Sequence, residues 1–257
     1  MIFQILKCRR KFRLPLHKIS EIINTLKIDL SPKTDKNNPI SPETKVLVAL
    51  RFLATGSFQN TIEKGYSAIN CKFVVDPDGQ FRDAVIKFPG SCHDVFVYSN
   101  STLKQTLELD PASGFLFGDS GYGLSPVMIT PFSPALNPEE ILFNKIHSRV
   151  RSEIERCFGR LKNRWRCLHK NGGTLQYTPS KCCSIIYTCV ILENMCNSLG
   201  LEDPDNVVFI EDAVDNTEDN GNCSGVGQRQ TNQFRLGIIR RNNLKSYMFA
   251  NRHRYVS

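Results

Sequence analysis

Carboxylates and cations, more than thiols or imidazoles, are the residues of this 257-residue chain whose placement could carry chemistry. The ten cysteines are scattered, with one adjacent pair (Cys182, Cys183) and no C-x-x-C, and His17, His93, His147, His169 and His253 miss finger spacing. Reduced intracellular thiols and no structural zinc are therefore expected. Asp and Glu supply the hard oxygen ligands that suit Mg2+. Four acids lie where elements end: Asp76 and Asp78 in Asp76-Pro-Asp-Gly79, Asp94 after His93, and Asp119 in Gly118-Asp-Ser-Gly-Tyr122. Glu155 follows in Ile154-Glu-Arg-Cys-Phe-Gly159. Structural roles compete for several of them: a turn for Asp76 and Asp78, an N-cap for Asp94, ordinary helix pairing for Glu155.

The elements that must position these side chains are legible from periodicity. Residues 1–60 hold eleven Lys/Arg against four Asp/Glu, including Lys7, Arg9, Arg10, Lys11 and Arg13, and read as a helical region. Its helices carry Ile19, Ile22, Ile23 and Leu26 at helical spacing, then Lys45–Ala54 opened by Ser41-Pro-Glu-Thr44. The region is either a small helical bundle or a DNA-contacting one. From Gly65 the period becomes that of strands. Ala68–Val75 and Phe81–Phe88 make a hairpin about the 76–79 turn, and Gly114–Gly118 a third strand. Asn144–Leu168 is a long helix with an apolar stripe of Ile154, Phe158, Leu161, Trp165 and Leu168. Glu155 lies on one flank beside Arg151, Lys162 and Arg166, and Glu153 on the other beside Arg160 and Arg164. A further apolar helix spans 180–199. Residues 202–219 then hold eight acids and no Lys or Arg, a solvated linker over 201–224. The stretch from 225 to 257 has seven Lys/Arg and no acid, and Ile238, Ile239, Leu244 and Met248 suit one docking helix. A formal charge of +8 and a pI near 9.0 favour polyanionic partners. No apolar run reaches the roughly 18 residues of a membrane span.

Four blocks in order resemble the Harbinger transposase-derived nucleases of the DDE superfamily. They are Ser41–Phe58, Lys64-Gly-Tyr-Ser-Ala-Ile-Asn70 through Phe88-Pro-Gly-Ser-Cys-His-Asp94, Gly118–Tyr122, and Asn144-Lys-Ile-His-Ser-Arg149 through Cys167-Leu168. A weaker block at Leu175-Gln-Tyr177 extends the match over most of residues 8–200. The resemblance implies an α/β fold over 61–200: an RNase H-like mixed sheet with flanking helices. It also implies a metal-dependent endonuclease in which Mg2+ or Mn2+ ions, two of them held by three carboxylates, drive attack on a DNA phosphodiester. Asp119 matches the second acid and Glu155 the third, with Asp76 a further metal candidate. His93 and Asp94 would support the site, and Arg149, Arg151, Lys162 and Arg166 would meet DNA phosphates.

The first acid has no counterpart. In the family it stands on a central strand, in a motif resembling Ile-Asp-Gly-Thr-His, between the helical block and the Lys-Gly-Tyr block. Here Phe58-Gln-Asn60 runs directly into Thr61-Ile-Glu-Lys-Gly-Tyr66. The sheet is expected to lack that strand unless Met1–Leu6 replaces it, and the helical region is expected to be truncated. Impaired hydrolysis follows, or a catalytically inactive DNA- or protein-binding remnant that works with a Myb-like partner in the nucleus and stays cytoplasmic without it. A smaller departure is Glu193, where the family usually has His.

Overall fold

A computed structural model describes residues 11–33, 39–56, 69–169, 175, 177–202 and 229–255. The junction at 57–68, Met1–Leu6 and most of the acidic stretch (203–228) lie outside the described residues. The chain divides into two compact units, residues 1–69 with 157–208 and residues 70–156 with 209–257.

The first unit contains α1 (Leu16–Leu30) and α2 (Pro42–Thr55), which pack on each other. The start of α2 follows from its sequence: Ser41 accepts from the Thr44 N–H at 3.2 Å and Pro42 occupies the first turn, where no backbone donor is needed. It stops at Gly56, whose φ of 67° is the left-handed cap that glycine adopts without strain, and whose N–H donates to Phe52. The same unit holds α6 (Pro179–Ser198), which buries Cys182, Ile185, Cys189, Val190 and Leu192.

The second unit opens with the expected hairpin, β1 (Ile69–Val75) and β2 (Phe81–Pro89). Two short helices follow, α3 (Asp94–Ser99) and α4 (Thr102–Leu109). Then β3 (Leu116–Phe117) pairs in parallel with β4 (Met128–Ile129), Leu116 opposite Met128 and Phe117 opposite Ile129. The described residues thus form a mixed α/β structure with two separate two-stranded sheets, and no continuous mixed sheet runs among them.

The long helix α5 (Pro138–Arg164) starts six residues before the expected Asn144 and ends before the expected Leu168. The start signal is Asn137-Pro-Glu-Glu140: Asn137 Oδ1 accepts from the Glu140 N–H at 2.9 Å, and two acids sit in the first turn. The earlier start brings Phe143 into the core with Ile146, Leu124 and Ile129. The expected stripe is incomplete, with Leu161 and Trp165 buried and Ile154 and Phe158 only half-buried. The flank pairings also differ. Glu153 joins Arg156 at 2.8 Å, Arg160 donates to Cys157, and Arg164 turns inward to Glu193 at 2.9 Å. The i to i+3 spacing of Glu153 and Arg156 suits a direct surface pair.

The basic C-terminal stretch forms α7 (Arg229–Ala250), which belongs to the second unit. Met248 enters the Phe143 core and Ile238 and Leu244 pack against it, while Ile239 is 56% exposed and points away.

Candidate active site

Asp119 stands two residues beyond β3 because the Gly118 N–H donates to Ile129 of β4 at 3.0 Å and closes the strand pair. A side chain at 118 would meet the Tyr122 ring at 3.0 Å and the Met128 sulfur closer still, so any larger residue there forces both side chains to shift. Asp119 Oδ1 accepts from the Gly121 N–H at 3.0 Å, folding Asp-Ser-Gly-Tyr into a tight turn, and Oδ2 faces Arg151 at 3.7 Å. Each of these two side chains is 41% exposed, so the pair is solvent-screened and weak in itself.

Arg151 lies on α5 one turn before Glu155, which is exposed. Both line a cleft with Pro131, Asn144, His147, Ser148 and Ser152. Two side chains register α5 against the segment after β4. Asn144 accepts from the Phe132 N–H at 2.9 Å and donates to the Phe132 carbonyl at 2.8 Å. His147, 3% exposed, has its Nε2 3.3 Å from the Ile129 carbonyl and sets its ring edge-to-face with Phe117. Burial, aided by Arg151, holds the His147 pKa below its ordinary value, against the Ile129 carbonyl and Asp119. The native state thus favours neutral imidazole. Below pH 6.5 the unfolded chain takes up this proton more readily than the folded one, so stability falls as pH drops until native His147 itself protonates. Urea unfolding at pH 7 and pH 5 should show that His147→Gln loses part of the acid destabilisation. An unaltered difference would remove His147 from this role.

The hairpin and α3 add a second group. The N-cap of α3 is His93, whose side chain makes no cap bond, and not Asp94. Asp94 instead sits in the first turn, where the helix dipole favours a carboxylate, and its Oδ1 accepts from Asn70 at 3.0 Å. Lys72 lies 4.2 Å from the Tyr98 ring centroid, and burial lowers its pKa to about 8 against the pull of Asp83 and Asp94. Tyr98 meets Tyr122 edge-on at 5.8 Å. Burial, then Asp94 and Asp119, push the Tyr122 hydroxyl far above its ordinary range, placing this neutral phenol within the field of both acids. His147, Tyr122 and Lys72 were not singled out from the sequence. All three lie within the family-like segments, yet burial near a carboxylate is a tertiary property that spacing does not encode.

The other expected residues fall elsewhere. Asp76 is taken up by the hairpin: Oδ1 accepts from the N–H groups of Asp78 and Gln80, and Oδ2 meets Arg82 at 2.6 Å. Arg149 is exposed on α5, whereas Lys162 and Arg166 belong to the first unit.

A strand-end aspartate in a glycine-closed turn, with a glutamate and an arginine on a helix registered against the neighbouring strand, defines an α/β protein with a carboxylate-bearing polar cleft. The chain belongs to the DDE superfamily endonuclease family, which matches residues 57–194. It is 35% identical over 140 residues to HARBI1 of Mus musculus, named as a candidate nuclease, covering 54% of this chain and 40% of that protein. The Homo sapiens HARBI1 is 34% identical over the same length and coverage, and an ALP1-like protein of Arabidopsis thaliana 32% over 149 residues, 52% of this chain and 36% of that one. The resemblance to the Harbinger-derived nucleases is thereby borne out. The chain spans about two-fifths of the length of the curated relatives it matches. No solved structure matches it.

DDE superfamily endonucleases generally use divalent metal ions. Among the described residues no group of three His, Cys, Asp or Glu side chains is placed to hold one. Asp119 and Glu155 alone do not fit a three-carboxylate centre, and Asp119 already faces the Arg151 guanidinium.

Proposed function

We propose that this chain is a transposase-derived DDE endonuclease homologue that engages DNA at the α5 cleft, with its Mg2+- or Mn2+-dependent phosphodiester hydrolysis impaired by loss of the first acid. The observation that carries the reading is the counter-charge of Asp119, which is an arginine 3.7 Å away. That arrangement serves phosphate binding: Arg151 is the cation of the cleft wall, and Asp119 and Glu155 are like charges that an approaching phosphate must tolerate. RNase H-like ancestry of the two short sheets is part of the same proposal. The alternative is a wholly inactive binding remnant that acts in the nucleus with a Myb-like DNA-binding partner. Redistribution of a tagged chain from cytoplasm to nucleus on co-expression of such a protein would favour it.

DNA affinity measured in chelator and in Mg2+, beside a plasmid cleavage assay, tests the proposal. Without metal, Asp119→Asn and Glu155→Gln are each expected to tighten binding by about 1.5- to 5-fold, the range that one exposed charge supports. Weaker Mg2+-dependent binding in these variants, together with Mg2+-dependent cleavage by the unaltered chain, would show a functioning metal centre and overturn it.

A further inference from the structure

We propose that α5 carries a phosphate track, formed by Lys145, Arg149 and Arg156, that runs alongside the cleft and seats the backbone of duplex DNA. This rests on the DNA-binding reading above and adds the surface that performs it.

Helical geometry sets the track. At 3.6 residues per turn, positions 145, 149, 152 and 156 stack on one side of the helix, and about 16 Å separates the first from the last. Lys145, Arg149 and Arg156 are all exposed, with Ser152 half-buried between them. The core side of α5 is occupied by Phe143, Ile146 and Cys157, and the cleft side by Asn144, His147, Arg151 and Glu155. The basic row is therefore the next stripe round from the cleft, and Ser148 borders both.

The chemistry of the row suits a polyanion of regular spacing. Three cations and a hydroxyl follow one another, with Glu155 of the cleft on one flank and Glu153, which meets Arg156 at 2.8 Å, on the other. The Arg156 and Glu153 side chains are 57% and 42% exposed, so the pair is solvent-screened, weak and readily exchanged for a phosphate. Arg156 also lies 3.4 Å from Ser152 Oγ, which pre-orients it along the row. Exposed apolar surface on this stripe is confined to its N-terminal end, where Ile141 stands one turn before Lys145, since Val150 projects elsewhere on the helix. Phosphate contacts of this kind fix orientation without reading sequence, and so would hold a duplex in register with the cleft.

The test is the salt dependence of binding by the full chain to a duplex oligonucleotide. Each phosphate contact contributes about 0.9 to the slope of log affinity against log salt. The triple variant Lys145→Gln, Arg149→Gln, Arg156→Gln is expected to lower that slope by about 2.7, equally for unrelated duplex sequences. Glu153→Gln, which removes the acid and frees Arg156, should tighten binding by about 1.5- to 5-fold. An unchanged slope in the triple variant, with strong binding retained, overturns the track and leaves the DNA reading intact. No DNA binding by the unaltered chain at low salt overturns both. Loss of affinity confined to one duplex sequence, or to single strands, also counts against the track.

Discussion

Glu193→Ala is expected to destabilise the first unit by about 3–5 kcal/mol, the range for removing one partner of a buried ion pair. Glu193 is fully buried, and its carboxylate lies 2.9 Å from Arg164 and accepts from Trp165 Nε1 at 3.1 Å. Arg164 is itself 2% exposed and also donates to the Leu201 carbonyl at 2.9 Å. Truncating Glu193 would remove the carboxylate that faces this buried guanidinium, and would strip the indole N–H of its acceptor. Removing both charges should cost less than removing one, because hydrophobic replacement of a buried pair is often close to neutral. Trp165 is the chain's single tryptophan and sits in this network, so its emission follows unfolding directly. The idea fails if Glu193→Ala and the Arg164→Met, Glu193→Met double variant unfold at the same denaturant concentration as the parent.

The second large effect is expected at Gly237. A Cβ there would lie 2.8–2.9 Å from three backbone atoms of Ser125, and backbone cannot yield as a flexible side chain would. This close approach lets Arg240 donate to the Pro111 and Pro126 carbonyls at 2.8 Å while its guanidinium stacks near Phe115. It also sets Arg241 over Phe132 at 4.0 Å and within 3.0 Å of the Pro131 carbonyl. Gly237→Val should lift α7 and cost about 1–3 kcal/mol or more, as overpacking does. Ile239→Ser, on the outward side of the same helix, should stay within about 0.5 kcal/mol. Thermal unfolding with limited proteolysis at the α7 arginines would show a lowered transition and faster cleavage in the first variant alone. Equal behaviour of the two would mean that α7 does not depend on this contact.

Each of these positions concerns a part of the long helix within its own unit. The Arg164–Glu193 pair holds its C-terminal end within the first unit. In the second, Lys245 of α7 reaches Glu139 at 3.5 Å in its first turn. The cleft side chains Arg151 and Glu155 belong to the second unit with α7, so a loss of the α7 support should be read in DNA affinity as well as in stability.

The sequence by itself determined the family and most of the local elements. Those signals are short-range: the capped start of α2, the Asp-Pro-Asp-Gly turn, the glycine-closed Gly-Asp-Ser-Gly and the 3.6 period through Glu155 all act within a few residues. The tertiary structure decided what the acids and cations face. Asp76 is used up by its own hairpin, and Asp119 looks at Arg151. Arg164 leaves the helix surface for Glu193, and the basic C-terminal stretch packs as α7 into the second unit. Burial and charge partnership depend on residues far apart in the chain, such as Arg241 with Pro131 or His147 with Ile129. Spacing along the sequence fixes which face of an element a side chain takes, while only packing fixes what stands opposite that face.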